Sequence, residues 1–311
     1  MSRDITLHCL KPGLQTLVQD AGRPDYQAQG VPAGGALDQT AARVANWLVG
    51  NAPEGPVLEI TCLGPVLTIS GPCQLALTGA DLSARLNGQP VPRYQTVTVE
   101  AAATLTFGRL VAGCRAYLAV GGQWQVRRWL GSASALLHGG APATPDSILA
   151  RDSRVRIQPQ QSIVPRKVAA ELIPALPTHV RVRVLPGPEM DVFSALAIGY
   201  FFSRNYQLTP DVSRMGYRLR SPEPAELVPG REIISSGVVP GTVQITSAGQ
   251  PVLLLADAQT TGGYCRLATV ISADLDAVAQ LKPGDTLAFA LVSLAEAQAA
   301  LLAQRQQWAM L

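Results

Sequence analysis

Aromatic residues make up only 5% of this 311-residue chain, and charged residues only 15%. An average soluble domain carries about 25% charged residues. The hydrophobic fraction of 47% therefore has to be built mainly from Val, Leu, Ile and Ala. Lysine is confined to Lys11, Lys167 and Lys282, and the net charge is +3. With no basic run interleaved with aromatics, a nucleic-acid-binding surface is not indicated. The five cysteines (Cys9, Cys62, Cys73, Cys114, Cys265) are odd in number and form no CxxC, which argues against a disulfide framework or a zinc ribbon. Three scattered histidines without an HExxH leave no local metal motif, so no metal is expected. There is no GxxxxGK[ST] loop for phosphates and no GxSxG nucleophile turn. No Met-Lys pair of the kind that accepts biotin occurs, so no bound biotin is expected. No apolar run approaches the ~18 residues of a membrane span. The opening MSRDITLHCL lacks an apolar core followed by a small-residue cleavage site, so a soluble, cytoplasmic protein is expected.

What is present reads as strands. The length calls for two domains. Residues 4–10 form a strand, and short aliphatic runs follow at 57–61, 66–70, 73–78, 96–100, 104–108 and 115–120, separated by Pro, Gly and Asn87-Gly88. That spacing predicts a closed or nearly closed antiparallel barrel. Asp38 caps a helix over 39–49 whose apolar stripe is Ala41, Val44, Ala45 and Leu48, with Gly50 ending it. Arg43 and Asn46 fall on a different part of that helix and read as solvated surface. Asp20 and Arg23 flank Gly22 with a spacing that suits a loop ion pair. The GSAS run at 131–134 invites comparison with a phosphate cradle, and the stretch from Leu136 to Ser147 is short and rich in Ala and Pro. Four prolines at 159, 165, 174 and 177 mark a linker over 159–178, which gives domains 1–158 and 179–311. The second domain opens with a strand at 179–185, then a helix with Phe193, Leu196 and Ala197 inward. Ser293-Leu294-Ala295-Glu296 is a capping box for a final helix over 294–308. A loose internal correspondence joins Val57 to Asp81 with Arg231 to Asp257 and suggests a duplicated barrel unit.

The densest chemistry lies in residues 232–271. Strands at 242–246 and 251–256 empty into Asp257-Ala258-Gln259-Thr260-Thr261-Gly262-Gly263-Tyr264. This octet sets one carboxylate, one amide and two hydroxyls beside paired glycines that let backbone N–H groups approach a ligand. The same residues would serve a hairpin loop that only satisfies its own backbone. Upstream, Ser213-Arg214-Met215-Gly216-Tyr217-Arg218-Leu219 carries two arginines around a glycine. They can grip a carboxylate or phosphate through planar forks of donors, or pair with acidic residues at a domain contact. If 217–219 is a strand, Arg218 points opposite Tyr217 and Leu219, and Arg214 sits in the preceding loop.

The strings ADAQTTGGYCRLATVI, GVVPGTVQI, QDAGRPDYQAQGVPAGGALD, VLEITCLGP and SRMGYRL occur here in addition to that pattern. Together they resemble the family of allophanate hydrolase subunit 2 and biotin-dependent carboxyltransferases, over about residues 5–305. The resemblance implies two tandem cyclophilin-like β-barrels, mainly β with a few helices. It implies a subunit of an ATP-dependent 5-oxoprolinase, with ATP (accompanied by Mg2+) as co-substrate of the complex, working with 5-oxoprolinase subunits A and B, of which B is the direct partner. For that chemistry the polar octet and the arginine loop supply the candidates: Asp257 and Arg214 for catalysis. Gln259, Thr260, Thr261, Gly262, Gly263, Tyr264, Gly216, Tyr217 and Arg218 are the candidates for substrate binding. Two other readings stay open: the carboxyltransferase component of a urea carboxylase-like system with biotin carried on another protein, and a non-enzymatic antagonist of a sensor-kinase inhibitor. The absence of a self-contained nucleophile set implies that the chain is nearly inactive alone.

Overall fold

The computed structural model describes residues 4–137, 144–221 and 233–309. Residues 138–143 of the Ala/Pro-rich stretch, and Arg231 and Glu232 of the internal correspondence, lie outside them. The chain is mainly β and divides into two compact units. Among the described residues the first comprises those of 4–23 and 34–176, and the second those of 24–33 and 177–309. No helix among the described residues is long and apolar enough to cross a membrane.

The first unit contains β1 (Ile5–Lys11), β2 (Gln15–Gln19), α1 (Gln39–Leu48), β3 (Val57–Thr61), β4 (Val66–Ile69), β5 (Cys73–Asp81) and β6 (Arg85–Leu86). It continues with β7 (Gln89–Pro90), β8 (Val97–Val99), β9 (Ala103–Thr106), β10 (Ala112–Val120), β11 (Gln123–Gln125) and β12 (Arg154–Gln158). Its strands fall into two sheets, β11-β12-β1-β4-β9-β6-β7 and β2-β3-β10-β5-β8. β1, β4 and β12 alternate buried and exposed residues, so each turns one face inward. β5 and β10 are buried along nearly their whole length, because the second sheet is covered on both sides. One side packs Leu58, Leu77 and Leu118 against Leu7, Ile69 and Ile157 of the first sheet. The other packs Ala76, Tyr117 and Ala119 against Ala41, Ala45 and Leu48 of α1.

Helix α1 starts where the sequence requires. The Asp38 carboxylate accepts from the Ala41 N–H at 2.8 Å, and Gly50 turns the chain out with φ 75°. Asn46, read as solvated, is fully buried and donates to the Gly55 carbonyl at 2.8 Å. Beneath the helix start lies a buried polar knot. Glu59 accepts from the Leu37 N–H and from the Tyr117 hydroxyl, both at 2.9 Å, while that hydroxyl accepts from the Asp38 N–H at 2.8 Å. Burial first, then the neighbouring Glu59 and Asp38 carboxylates, push the Tyr117 phenol well above its ordinary value. An unfolded tyrosine ionises near pH 10. Below that pH both states keep the proton; above it only the folded state does, so stability falls as pH rises past about 10. Cys73, pushed up to about 12 by burial, and Tyr206, raised for the same reason, act in the same direction. Denaturant midpoints should therefore drop between about pH 9 and pH 11. Tyr117→Phe should start less stable and show a shallower drop; an unchanged slope would mean that Tyr117 is not the titrating group.

Residues 159–176, expected to be a linker, are built into the first unit. Gln74 and Ile163 exchange two hydrogen bonds of 2.8 and 2.9 Å, Arg166 donates to the Trp47 carbonyl at 2.6 Å, and Val168 is buried. The Arg166 carbonyl accepts from the Thr96 N–H at 2.8 Å and the Val168 N–H donates to the Tyr94 carbonyl at 3.0 Å, before a short 3-10 turn at Ala170–Leu172.

The second unit contains β13 (His179–Pro186), α2 (Ala195–Ser203), β14 (Tyr206–Val212), β15 (Gly216–Arg220), β16 (Ser236–Gly237) and β17 (Thr242–Ile245). β18 (Pro251–Leu254), β19 (Thr261–Gly262), β20 (Cys265–Val270), α3 (Leu275–Ala279), β21 (Thr286–Leu291) and α4 (Leu294–Ala309) complete it. Seven strands close into a barrel, β13-β20-β17-β18-β15-β14-β21, sealed by parallel pairing of β13 with β21. Phe289 stacks on Phe201 of α2 at 4.5 Å, with Tyr206 beside both. Phe193 and Ala197 point inward as expected, but Leu196 is 64% exposed. Ser293 and Glu296 form the expected capping box, and the backbone hydrogen bond from Ser293 holds the Glu296 carboxyl below its usual range. The mainly β fold with a few helices is as the sequence implied. The second unit is a closed barrel, and the first is two sheets around a shared core.

Candidate functional site

The two motif loops of the second unit meet at one end of the β15–β18 pair. Gly216, Tyr217 and Arg218 stand opposite Leu254, Leu253 and Val252. Beyond that register the Leu255 N–H donates to the Met215 carbonyl at 2.9 Å, and the Asp257 N–H to the Arg214 carbonyl at 3.1 Å. The side chains complete the join. Arg214 Nε and Nη2 donate to the two Asp257 oxygens at 2.8 and 2.9 Å, and neither side chain has any exposure. A bidentate pair of this kind is strong and geometrically specific.

Strand alternation decides which neighbours face outward. Tyr217 and Leu219 point into the barrel and are buried, with the Tyr217 hydroxyl 3.4 Å from the Leu281 carbonyl. Gly216 and Arg218 point the other way, into a cleft of about 730 Å³. Its walls are Asp211, Ser213 and Met215 on one side and Gln259 and Tyr264 on the other, over Val252 and Leu254. Arg218 is exposed and has no ion-pair partner among the described residues. Gln244 is buried and donates to the Tyr264 carbonyl at 3.2 Å. A Cβ on Gly262 would lie 2.6 Å from Gln244 Nε2, and one on Gly216 would lie 2.6 Å from the Leu253 carbonyl oxygen. At Gly216 the neighbour is backbone and cannot yield, at Gly262 it is the end of a side chain, and neither glycine has the left-handed φ that would make the backbone itself demand glycine.

Of the residues expected to bind substrate, the cleft brings together Gly216, Arg218, Gln259 and Tyr264. Tyr217 is not among them, because the same alternation that exposes Arg218 turns it inward. Thr260, Thr261, Gly262 and Gly263 do not line the cleft either: Thr261 and Gly262 form β19 against Ser236 and Gly237. Asp257 and Arg214, expected to be catalytic, lie behind the cleft, where their side chains pair with each other. Missed from the sequence were Asp211, Ser213, Met215, Gln244 and Thr246. Gln244 could have been found, since an amide inside the aliphatic run Thr242–Ile245 needs a partner. As a chemical surface the cleft offers a cation, an amide and a carboxylate around an apolar floor, suited to a small polar molecule that bears a carboxylate.

The GSAS run in the first unit has a different occupant. Ser132 and Ser134 hydroxyls each donate to Asp20 Oδ1 at 2.6 Å, and the Ala133 N–H donates to Oδ2 at 2.7 Å. Arg23 does not close on Asp20 as a simple loop pair. It donates to the Ser134 carbonyl at 2.6 Å and to the Ser132 hydroxyl at 3.3 Å, so both residues grip the same segment. The cradle is filled by the protein's own carboxylate. Among the described residues no group of three or more His, Cys, Asp or Glu side chains is placed to hold a metal ion.

The model of the carboxyltransferase domain, subdomain A and B, matches residues 29–291. The chain is 37% identical to the C subunit of the Escherichia coli 5-oxoprolinase over 291 residues, covering 94% of this chain and 93% of that one. It is 31% identical to the urea amidolyase of Saccharomyces cerevisiae over 303 residues, but covers only 16% of that much longer protein. Among solved structures, the K. lactis urea amidolyase superposes with a TM-score of 0.89 and 28% identity, over 99% of this chain and 20% of that one.

Proposed function

This chain belongs to the family of carboxyltransferase domains with subdomains A and B, and we propose that it is one subunit of an ATP-dependent 5-oxoprolinase. That activity opens the lactam of 5-oxo-L-proline to L-glutamate. The observation that carries the reading is the likeness to a 5-oxoprolinase subunit along nearly the full length of both chains. The cleft supports it. Arg218 would take the substrate carboxylate through its planar fork, Gln259 would hydrogen-bond the lactam, and Val252, Leu254 and Met215 would receive the ring methylenes. The Arg214–Asp257 pair would hold the two loops at the spacing that ring requires.

A lactam carbonyl is unreactive because its nitrogen donates into it; ATP, when bound to the complex, supplies the phosphoryl transfer that makes the carbonyl an electrophile. The phosphate-like cradle of this chain is occupied by Asp20, so a nucleotide is assigned to another subunit. Partners corresponding to 5-oxoprolinase subunits A and B are required in this reading, with B in direct contact and the assembly cytoplasmic. A specific interface of that kind buries on the order of 1,600 Å².

The likeness to urea amidolyase favours a second reading, the carboxyltransferase component of a biotin-dependent system. Any biotin would arrive on another protein, since none of the three lysines follows a methionine. One experiment separates the two. The chain is purified alone and with its co-expressed partners, and ATP- and 5-oxoproline-dependent glutamate formation is measured with and without avidin. Glutamate should appear only with the assembled complex and be insensitive to avidin. Robust turnover by the single chain would overturn the subunit reading, and avidin inhibition would favour the biotin-dependent one.

A further inference from the structure

A second cavity, of about 370 Å³, lies in the first unit. Leu77, Leu82, Val91, Phe107 and Ala116, most of them core residues, supply its apolar wall. Its lip is charged, with Asp81, Arg85 and Arg93 around the opening. Arg93 is held in place: Nη1 donates to the Gly79 carbonyl at 2.6 Å, Nε lies 3.9 Å from Asp81 Oδ2, and the guanidinium sits 5.7 Å from the Tyr94 ring centre. Those contacts leave other N–H donors of the fork for a ligand. Arg85 is exposed and donates to the Gly88 carbonyl at 2.8 Å. One Asp81 oxygen is taken by the Ser83 N–H at 2.9 Å, so the lip presents two cations against one partly engaged carboxylate.

The backbone around this lip is unusual. Ser83 and Tyr94, which bracket the segment wrapped around the opening, have left-handed φ of 50° and 58°. Asn87 also does, but it belongs to the Asn87-Gly88 hairpin turn, where that conformation is ordinary. A buried tyrosine with positive φ is rare, and such residues persist where the surrounding structure fixes a special geometry. The irregular segment between them carries Val91 and Arg93, both of which line the cavity.

We propose that this cavity is a binding site for a small carboxylic acid with an apolar body. The carboxylate sits between Arg93 and Arg85, and the hydrocarbon portion lies on Leu82, Val91 and Phe107. The volume is that of an ordinary small-molecule pocket, roughly 300–1,000 Å³. An alcohol would leave the guanidinium groups unneutralised, and an amine would meet them with like charge. This proposal does not rest on the activity assigned above.

The test uses the full chain with labelled Leu and Val methyl groups, titrated with hexanoate, hexan-1-ol and hexylamine. Hexanoate should bind saturably, at least ~10-fold tighter than the other two, and shift the methyl signals of Leu77, Leu82 and Val91. Loss of one charge-assisted contact should weaken hexanoate about 10-fold in Arg93→Met. Because Arg93 also holds Gly79, Arg85→Met, whose side chain is exposed, provides the same readout without that risk. Arg151→Met, an exposed arginine that lines neither cavity, should leave hexanoate binding unchanged. Equal binding of the three probes, no saturable binding, methyl shifts confined to the second unit, or full affinity in folded Arg85→Met and Arg93→Met would each overturn the proposal.

Discussion

Asp257→Asn is expected to destabilise the second unit by roughly 3–5 kcal/mol, the cost of breaking a fully buried ion pair from one side. The Asp257 and Arg214 side chains have no exposure and meet through two bonds of 2.8 and 2.9 Å. Asparagine keeps the shape but leaves the guanidinium without its counter-charge in a place water does not reach. Arg214→Met strands the carboxylate instead and should cost a similar amount. The double variant Arg214→Met/Asp257→Leu should recover much of the loss, because two desolvated charges disappear together. For a unit of this size the single variants should lower the melting temperature by on the order of 10 °C. Activity of the assembled complex, expressed per folded molecule, should fall only as far as the cleft loops loosen. A different result would reverse the assignment. If Asp257→Asn keeps its melting temperature within about 2 °C while turnover falls ~10²-fold, the residue acts on substrate as a proton-transfer group.

How far the sequence foretells this molecule depends on whether a feature is local. The strand Val57–Thr61, the Asp38 cap and the Ser293–Glu296 box rest on short-range chemistry and stand where the pattern puts them. Alternation along β15 correctly sets Arg218 opposite Tyr217 and Leu219. The failures involve partners distant in sequence. Asn46 on its helix looks like surface until Gly55 folds back to receive its amide, and the cradle-like GSAS run is filled by Asp20, more than a hundred residues earlier. The proline-rich 159–176 reads as a linker because nothing nearby reveals that Gln74, Trp47 and Tyr94 satisfy its backbone and side chains. Asp81 and Asp257, which correspond in the loose repeat, diverge for the same reason: Asp257 meets a buried arginine at bonding distance, whereas Asp81 stays half-buried, 3.9 Å from Arg93.

Arg218→Met should behave in the opposite way to Asp257→Asn, with a large loss of activity and almost none of stability. Arg218 is exposed on the cleft side of β15, and its strand is anchored by Tyr217 and Leu219 from the other face. Substitutions at exposed positions without buried partners usually change stability by no more than about 0.5 kcal/mol. If the guanidinium receives a substrate carboxylate, its loss removes a charge-assisted contact worth ~1.5–3 kcal/mol, or roughly 10- to 100-fold in kcat/KM of the assembled complex. Methionine preserves the length and apolar stem, so packing against Val252 is retained. Arg218→Lys should restore only part of the activity, because an ammonium cannot form the two parallel bonds of a planar fork. Arg220→Met, two residues along the same face and hydrogen-bonded to Gln207, controls for general loss of positive charge and should be near normal. The decisive measurement is kcat/KM for 5-oxoproline on all three variants, beside melting temperatures from the same preparations. Full activity in Arg218→Met would remove this cleft as the carboxylate site, whereas an equal loss in Arg220→Met would show that the effect is one of overall charge on that face of β15.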